Sequence, residues 1–116
     1  MNNTTKLGLN AETEAVKFLE QKGHKVIARN VRSRFYELDI ISVEDNYIVL
    51  TEVKYRTNDY FGSGIEFVDH GKAVRLQKGF RMWLAENTQY TTYQPRIDVI
   101  GIGGGGKLQH IENAIN

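Results

Sequence analysis

A chain of 116 residues has room for one domain with a single core, so we expect residues 1–116 to form one unit. With 41% hydrophobic and 25% charged residues the composition is globular, and the absence of cysteine excludes disulfides and thiolate metal sites. The net charge of +1 is too small to indicate nucleic-acid binding by itself, and the lack of a secretory signal or membrane-length apolar run favours a cytoplasmic protein without membrane contact.

The first half of the chain predicts a helix followed by three strands. Small and apolar residues recur at helical spacing over residues 7–22, and Gly23 follows where a helix would end. Residues 24–31 predict a strand, and the basic connection RSRFY leads to further strands over roughly 37–43 and 47–55. The letters EDN between the last two strands include residue types that tolerate turn conformations, which predicts a hairpin.

The second half predicts one helix and two more strands. Apolar residues form one stripe over residues 72–86 while Arg75 and Lys78 lie opposite, so this helix is amphipathic with a basic outer face. RIDVIGI predicts a strand, GGGG a turn and LQHI a short partner strand. The order is αβββαββ. Because the hairpin is apolar on both faces near its turn, we expect an α/β fold with helices covering both sides of the sheet.

Charged residues interrupt the apolar hairpin in an unusual way. With residues 45–46 as the turn, the antiparallel register sets Asp39 opposite Glu52 and Glu37 opposite Lys54. Side chains in direct opposition have Cβ atoms about 4.5–5.5 Å apart, where like charges repel. The pair formed by Asp39 and Glu52 therefore needs compensation.

A shared proton, the neighbouring Lys54, or a divalent cation between the two carboxylates would each compensate the pair. Mg²⁺ suits the site because it takes oxygen ligands, often uses only one or two carboxylates, and leaves other positions to water and phosphate; Mn²⁺ is an alternative. Lys54 leaves the strand on the same face as Glu52, where it would orient a water or neutralise phosphate charge. The structural alternative is a buried ion-pair cluster that fixes strand register.

Nearly the whole chain also carries a family pattern. The run LGLNAETEAVKFLEQKGHKVIARNVRSRFYELDII, followed by TEVKYR, FG, GKAVRL, RIDVI and HIENAI, is similar to the YraN-like family of small bacterial predicted endonucleases. An acid on one strand followed by Glu-x-Lys on the next resembles the PD-(D/E)XK nuclease signature, and the family in turn resembles archaeal Holliday-junction resolvases. The resemblance implies a restriction-endonuclease-like, three-layer α/β/α fold with a mixed central sheet.

The resemblance implies Mg²⁺-dependent hydrolysis of phosphodiester bonds in DNA, with branched, flapped or Holliday-junction structures as expected substrates. Asp39 and Glu52, with the Val53 backbone carbonyl, would hold the metal ion. Lys54 would orient the nucleophile, and Glu12 on the first helix would hold a metal-bound water or a second ion. An exposed helical glutamate near a positive helix end is the alternative interpretation of Glu12.

The chain departs from the family pattern at two positions. Two further acids have no assigned role in the resemblance. The family usually has glycine where this chain has Ala11 and Tyr36, and the bulkier Tyr36 would change how closely a substrate approaches. Glu37 and Asp98 are the unassigned acids. Asp98 shares a strand face with Arg96, so a structural ion pair is as good an explanation as a catalytic role.

Basic residues are concentrated in two parts of the chain. Residues 22–34 include five basic and no acidic side chains, and residues 54–81 include six basic against three acidic ones. Such local excess suits a polyanion, although solvated surface is the simpler explanation of either cluster. The residues expected to contact nucleic acid are Arg32, Arg34, Arg56, Lys72, Arg75 and Lys78. The residues expected to offer stacking surface are Tyr55, Tyr60 and Phe61.

Two other signals carry no function. GIGGGGKL resembles the opening of a phosphate-binding P-loop, but Leu108 stands where serine or threonine is required, so we expect a hairpin turn. His24, His70 and His110 are too scattered in sequence for a metal-ligand pair, and surface or hydrogen-bonded histidine is the favoured explanation of each.

The sequence therefore predicts a DNA endonuclease, with DNA favoured over RNA and a homodimer expected if two symmetric strands are cut. One rival is a non-catalytic nucleic-acid-binding module with the same fold. A second is an endonuclease that processes RNA, including tRNA.

Overall fold

The computed structural model describes residues 3–55, 69–103 and 107–115, which form two helices and a five-stranded sheet. The helices are α1, Asn3–Gln21, and α2, His70–Glu86. The strands are β1, Lys25–Arg32; β2, Glu37–Glu44; β3, Tyr47–Tyr55; β4, Gln94–Ile102; and β5, Leu108–Ile115. A short 3₁₀ helix, Thr88–Tyr90, lies between α2 and β4. The predicted contact residues Arg56, Tyr60 and Phe61 lie outside the described residues.

Helix α1 ends in a glycine motif that fixes where the first strand begins. Gly23 has φ +107°, in the region where only glycine is comfortable. Its N–H donates to the carbonyl of Glu20, and the N–H of His24 donates to the carbonyl of Leu19. These two bonds form a Schellman motif, the usual way of ending a helix at glycine. Ala15 and Leu19 are fully buried, so the predicted helical spacing marks the face of α1 that meets the sheet.

The strands lie across the sheet in chain order, β1-β2-β3-β4-β5. Neighbouring strands are antiparallel except for β3 and β4, which are parallel. A parallel pair needs a crossover connection, and α2 lies within that connection. The sheet is therefore mixed and the fold is α/β, as the sequence predicts.

One helix covers each face of the sheet. The α1-side cluster contains Ala11, Ala15, Val16, Leu19, Ile40, Ile100 and Ile102. The α2-side cluster contains Leu38, Ile41, Ile48, Leu50, Leu76, Phe80, Trp83 and Ile97. Consecutive strand residues point to opposite faces, and the consecutive Ile40 and Ile41 belong to different clusters, so the two clusters lie on opposite faces. Burial on both faces explains why the centre of β3 is a continuous apolar run.

The hairpin of β2 and β3 has the predicted register. The turn falls at residues 45–46, with Asp45 at φ +53°, and the paired residues run from Glu44 with Tyr47 to Ile40 with Thr51. Pairing stops there, so the predicted pairs of Asp39 with Glu52 and of Glu37 with Lys54 are not part of the ladder. Leu38 and Ile40, which regular alternation would set on one face, belong to different clusters. The regular alternation of side chains between the two faces of β2 is therefore interrupted at the residue between them, Asp39.

Strand β5 is longer than the predicted LQHI segment and reaches Ile115. Asn113 adopts φ +52°, and the register of β4 with β5 shifts between Ile97 and Val99. Because the N–H of Asn113 donates to Oδ1 of Asp98 at 2.9 Å, a side chain supplies the hydrogen bond at this irregularity and lets the strand continue. Within the described residues, no helix combines the length and apolar character needed to span a bilayer.

Candidate functional site

Asp39 occupies the point where β2 and β3 separate. Its Oδ2 accepts a hydrogen bond of 2.9 Å from the backbone N–H of Val53 on β3. A backbone donor in a strand interior needs a partner, and here the carboxylate supplies it beyond the last paired residues. This bond joins the two predicted metal-site segments, Asp39 and the stretch from Glu52 to Lys54. The predicted role of the Val53 carbonyl stays a prediction.

Glu52 is a buried carboxyl group beside Asp39. It is 5% exposed, and burial raises its pKa from 4.5 to about 7, with the negative charge of Asp39 as the next cause. A hydrogen bond between the two carboxyl groups raises the pKa further, while the ammonium groups of Lys72 and Lys54 lower it. Near neutral pH the carboxyl group of Glu52 is therefore partly protonated, which reduces its repulsion with Asp39.

Two lysines flank Glu52 at equal distance. The Nζ atoms of Lys54 and of Lys72 each lie 3.8 Å from Oε1 of Glu52. Lys54 reaches this point because it follows Glu52 by two positions on β3. Lys72 comes from the first turn of α2, where Asp69 caps the helix by accepting from the N–H of Lys72 at 2.8 Å. A cation in the first turn opposes the helix dipole, so the carboxylate of Glu52 is what favours this position for Lys72.

Glu12 contributes a third carboxyl group from α1. It is 7% exposed, so the alternative interpretation as an exposed helical glutamate is wrong. Burial raises its pKa, the Arg29 Nε hydrogen bond to Oε1 at 3.3 Å lowers it, and the charge of Asp39 raises it again. Because the charge of Asp39 acts on both Glu12 and Glu52, the three acids form one electrostatic unit. We call Glu12, Asp39, Glu52, Lys54 and Lys72 the carboxylate site.

The donor set of this site suits a small, hard cation. Asp39 and Glu52 offer oxygen atoms only, and their mutual repulsion and the raised pKa of Glu52 show that negative charge there is under-compensated. Mg²⁺ is commonly held by one or two carboxylates with waters and phosphate, so the residues present fit it. Among the residues that the structure describes, no group of three or more histidine, aspartate or glutamate side chains is arranged to hold a metal ion.

Asp98 belongs to a separate hydrogen-bonded network on the α1 side of the sheet. Its carboxylate is fully buried and accepts two bonds from Arg96, at 2.9 and 3.0 Å, and one from the Asn113 N–H. Nε2 of His110 lies 2.9 Å from Oδ2. Burial would raise the pKa of Asp98, but the bonds from His110, Arg96 and Asn113 hold it below its ordinary value. These contacts confirm the ion pair of Arg96 with Asp98 and support a structural role.

The histidines that are far apart in sequence are partly brought together. His24 and His110 have ring centroids 6.2 Å apart, and Nδ1 of His24 lies 2.9 Å from Oγ of Ser42. Burial lowers the pKa of His24. His70, at the start of α2, is exposed. Hydrogen-bonded histidine is therefore confirmed for His24 and His110, and surface histidine for His70.

The predicted nucleic-acid residues fall into two groups. Lys72, Arg75 and Lys78 line one groove along α2, together with Phe35, Tyr36, Glu37, Leu76 and Met82. We call it the Phe35–Met82 groove. Arg34 is exposed beside this groove, with its guanidinium carbon 5.8 Å from the Phe35 ring centroid, and Arg32 is exposed at the end of β1. Glu37 lies at the rim of the groove and pairs with Arg32 on β1, so the described contacts do not bring it into the carboxylate site.

Two contacts of the site and the exposure of one aromatic side chain escape sequence analysis. The sequence indicates Lys72 as a phosphate contact, but nothing in its spacing from Glu52 predicts that the two side chains meet. Arg29 bonds Glu12 only because β1 runs beside α1. Phe35 was part of a basic connection, and its exposure is visible only in the folded chain. The sequence feature that bears on these contacts is the basic outer face of α2, which indicates that Lys72 has a charged partner but not that the partner is Glu52.

The chain is similar to proteins of one family along most of its length. The profile of "Uncharacterised protein family UPF0102" matches residues 11–102. A UPF0102 protein of Vibrio parahaemolyticus is 38% identical over 111 residues, which cover 95% of this chain and 92% of the relative. A UPF0102 protein of a Sulfurihydrogenibium species is 38% identical over 113 residues, covering 97% and 96%. The matched segment includes all of the carboxylate site.

Proposed function

Since the chain belongs to the UPF0102 family, we propose from the geometry of its carboxylate site that it is a metal-dependent endonuclease acting on DNA. The observation that carries the proposal is the buried Glu52 beside the half-buried Asp39, with Lys54 at 3.8 Å from Glu52. Two like-charged side chains in an apolar hairpin, with the pKa of Glu52 raised, are a costly arrangement that is typical of a functional site. The mixed sheet between two helices supports a restriction-endonuclease-like arrangement, with both acids at the separation of two strands.

The residues of the carboxylate site have distinct tasks in this proposal. Asp39, held by the Val53 N–H, and Glu52 would bind a divalent cation, which supplies a water of lowered pKa and stabilises charge on the phosphate. Lys54 holds its ammonium group beside Glu52, where it orients the attacking water and offsets phosphate charge. Lys72 adds a second positive charge on the same carboxylate. Glu12, whose buried carboxyl group accepts a hydrogen bond from Arg29, would hold a metal-bound water or a second ion.

The experiment is a cleavage assay on labelled Holliday junctions, flaps, single strands and plain duplex, with Mg²⁺, Mn²⁺ or EDTA. Glu52→Gln and Asp39→Asn are expected to lower metal-dependent cleavage at least roughly 100-fold, the loss typical of removing one charge-stabilising group. Glu14→Gln is the matched control, because Glu14 is an exposed glutamate on the same helix as Glu12. Binding without cleavage under any metal would refute the endonuclease and favour a binding module, and preferred cleavage of matched RNA would replace DNA as the substrate.

A further inference from the structure

The Phe35–Met82 groove brings together the two large hydrophobic side chains that the described part of the chain leaves exposed. Phe35 is 69% exposed and Met82 is 40% exposed, and both line one groove of about 390 Å³. Single exposed apolar side chains are common on protein surfaces, but two in one concave surface indicate a binding site. The volume is within the roughly 300–1,000 Å³ typical of ligand clefts.

The rim of this groove is positively charged. Lys72, Arg75 and Lys78 line it from α2, and the guanidinium carbon of Arg34 lies 5.8 Å from the Phe35 ring centroid. Glu37 is the one acidic side chain among the lining residues that the structure describes. An apolar floor with a basic rim complements a ligand that has both flat apolar faces and negative charges. Nucleotides have both, whereas an apolar peptide or a lipid tail would leave the cations without partners.

The turn that carries Phe35 is held in a fixed conformation. The N–H of Ser33 donates to the carbonyl of Tyr36 at 2.9 Å, and the N–H of Phe35 donates to Oγ of Ser33 at 3.0 Å. Tyr36 is fixed in turn, because its hydroxyl donates to Glu86 of α2 at 2.7 Å. A large aromatic ring held outward in a closed turn is pre-organised for stacking, so little conformational entropy is lost when a ligand binds.

The groove adjoins the carboxylate site through a shared residue. Lys72 lines the groove, and its ammonium group lies 3.8 Å from Oε1 of Glu52. A strand whose phosphates meet Lys72 would therefore pass from the groove toward Asp39 and Glu52. Bases in a continuous duplex are stacked and cannot reach Phe35, while an unpaired base presents its flat face to an aromatic ring.

We propose that the Phe35–Met82 groove binds an unpaired nucleotide of DNA, with its base stacked on Phe35 and its flanking phosphates held by Lys72, Arg75 and Lys78. The groove would select DNA in which paired and unpaired segments meet. This inference rests on the proposed endonuclease, because selection of a DNA shape matters when the protein cuts that DNA. Binding of the unpaired nucleotide can be measured without cleavage. Base stacking on an aromatic side chain is sequence-tolerant, so the groove recognises the unpaired state rather than a particular base.

The first test measures DNA binding in EDTA, where no cleavage occurs, by fluorescence anisotropy. The probes are labelled oligothymidine, the same oligomer with abasic sites in place of its central bases, and a matched duplex. We expect wild-type protein to bind the intact oligomer tightest. Phe35→Ala should weaken that binding roughly 5- to 150-fold, the range for losing one stacked base, and leave the abasic probe unaffected. Phe35→Trp should restore binding because it keeps an aromatic face.

A charge variant separates phosphate contacts from stacking. Lys78→Ala should weaken all three probes together and lower the salt dependence by about one unit of slope. Lys25→Ala is the matched control, because Lys25 is exposed at the start of β1 and does not line the groove. Equal affinity of wild-type protein for intact and abasic probes, or an equal loss for single strand and duplex in Phe35→Ala, overturns the groove proposal.

The cleavage assay distinguishes the failure of this inference from the failure of the proposed function. If the wild-type protein cleaves DNA, Phe35→Ala should lower the ratio of forked-substrate cleavage to blunt-duplex cleavage by roughly 5- to 150-fold, the same range as for binding. If Phe35→Ala still cuts DNA with metal and keeps the same preference for the forked substrate, the endonuclease proposal is supported and the groove proposal is refuted. Stacking-dependent binding without any cutting would keep the groove and remove the endonuclease. Absence of binding to every probe would remove the groove, and absence of cleavage under any metal would remove the endonuclease.

Discussion

Glu52→Gln is expected to make the protein more stable at pH 8, although it removes a partner of two lysines. The buried carboxyl group has its pKa raised from 4.5 to about 7. Its unfolded form therefore loses a proton at lower pH than its folded form, so folding stability falls as pH rises from 4.5 to 7. At about 1.36 kcal/mol per pH unit, the penalty above pH 7 is roughly 3 kcal/mol. The neutral amide avoids it.

The attraction of the lysines is already part of this figure, because the ammonium groups of Lys72 and Lys54 lower the pKa of Glu52. The gain is then roughly 3 kcal/mol at pH 8, and it shrinks below about 1 kcal/mol at pH 5, where Glu52 is mostly protonated. For a domain of this size the gain at pH 8 corresponds to a rise in Tm of about 12 °C.

The measurement is urea and thermal unfolding at pH 5 and pH 8 in EDTA, with Glu14→Gln as control. That exposed glutamate should change stability by less than about 0.5 kcal/mol. If Glu52→Gln is less stable than the wild-type protein at pH 8, then Glu52 is a net stabilising member of an ion-pair cluster. That outcome would refute the reasoning that the carboxylate site is strained for a ligand and would support the structural alternative.

Three further perturbations test other parts of the structure. Gly79→Ala should lower the free energy of unfolding by roughly 1–3 kcal/mol, as overpacking does, because the new Cβ would lie 2.7 Å from Cβ of Tyr36. Denaturation of Gly79→Ala with and without Tyr36→Gly checks this. The prediction is contradicted if Tyr36→Gly does not restore the stability of Gly79→Ala. Asp98→Ala should lose roughly 3–5 kcal/mol in the same assay, because the Arg96 side chain is 10% exposed and would keep only Glu44 as its carboxylate partner. A small loss would mean that the network around Asp98 is not structural. Mg²⁺ binding should release about half a proton at pH 7, since Glu52 has a pKa of about 7; calorimetry in buffers of different ionisation enthalpy measures this, and Glu52→Gln should release none.

The hairpin was predictable from the sequence because local chemistry determines it. A turn of Asp45 and Asn46 between two apolar runs fixes the register, and that register continued one position past the pair of Ile40 and Thr51 leads to Asp39 and Glu52. The end of the ladder at Ile40 was not predictable, since it depends on Asp39 taking the Val53 N–H in place of a backbone acceptor. A period-two pattern contains no information on where two strands separate.

Contacts between elements were beyond the sequence for a different reason. Lys72 meets Glu52, and His110 meets Asp98, only after α2 and β5 have taken their places beside the central strands. Each partner is an ordinary charged or polar residue in its own segment, so no local spacing distinguishes it. The same holds for Phe35, whose apolar side chain predicts burial by type and is exposed because the turn of Ser33 and Tyr36 directs it outward.

The placement of the acids shows how the fold tolerates a costly site. Asp39 and Glu52 lie beyond the last paired residues of the β2–β3 hairpin, while Glu52 stays paired with Val99 of β4 on the other side of β3. Both apolar clusters lie on the covered faces of the sheet and need neither acid for their packing. The Val53 N–H and the Lys72 ammonium group each hold one carboxylate in place from a different element. The fold thus positions the carboxylate site from elements whose apolar packing does not depend on it, which is the arrangement we expect if the site serves a ligand.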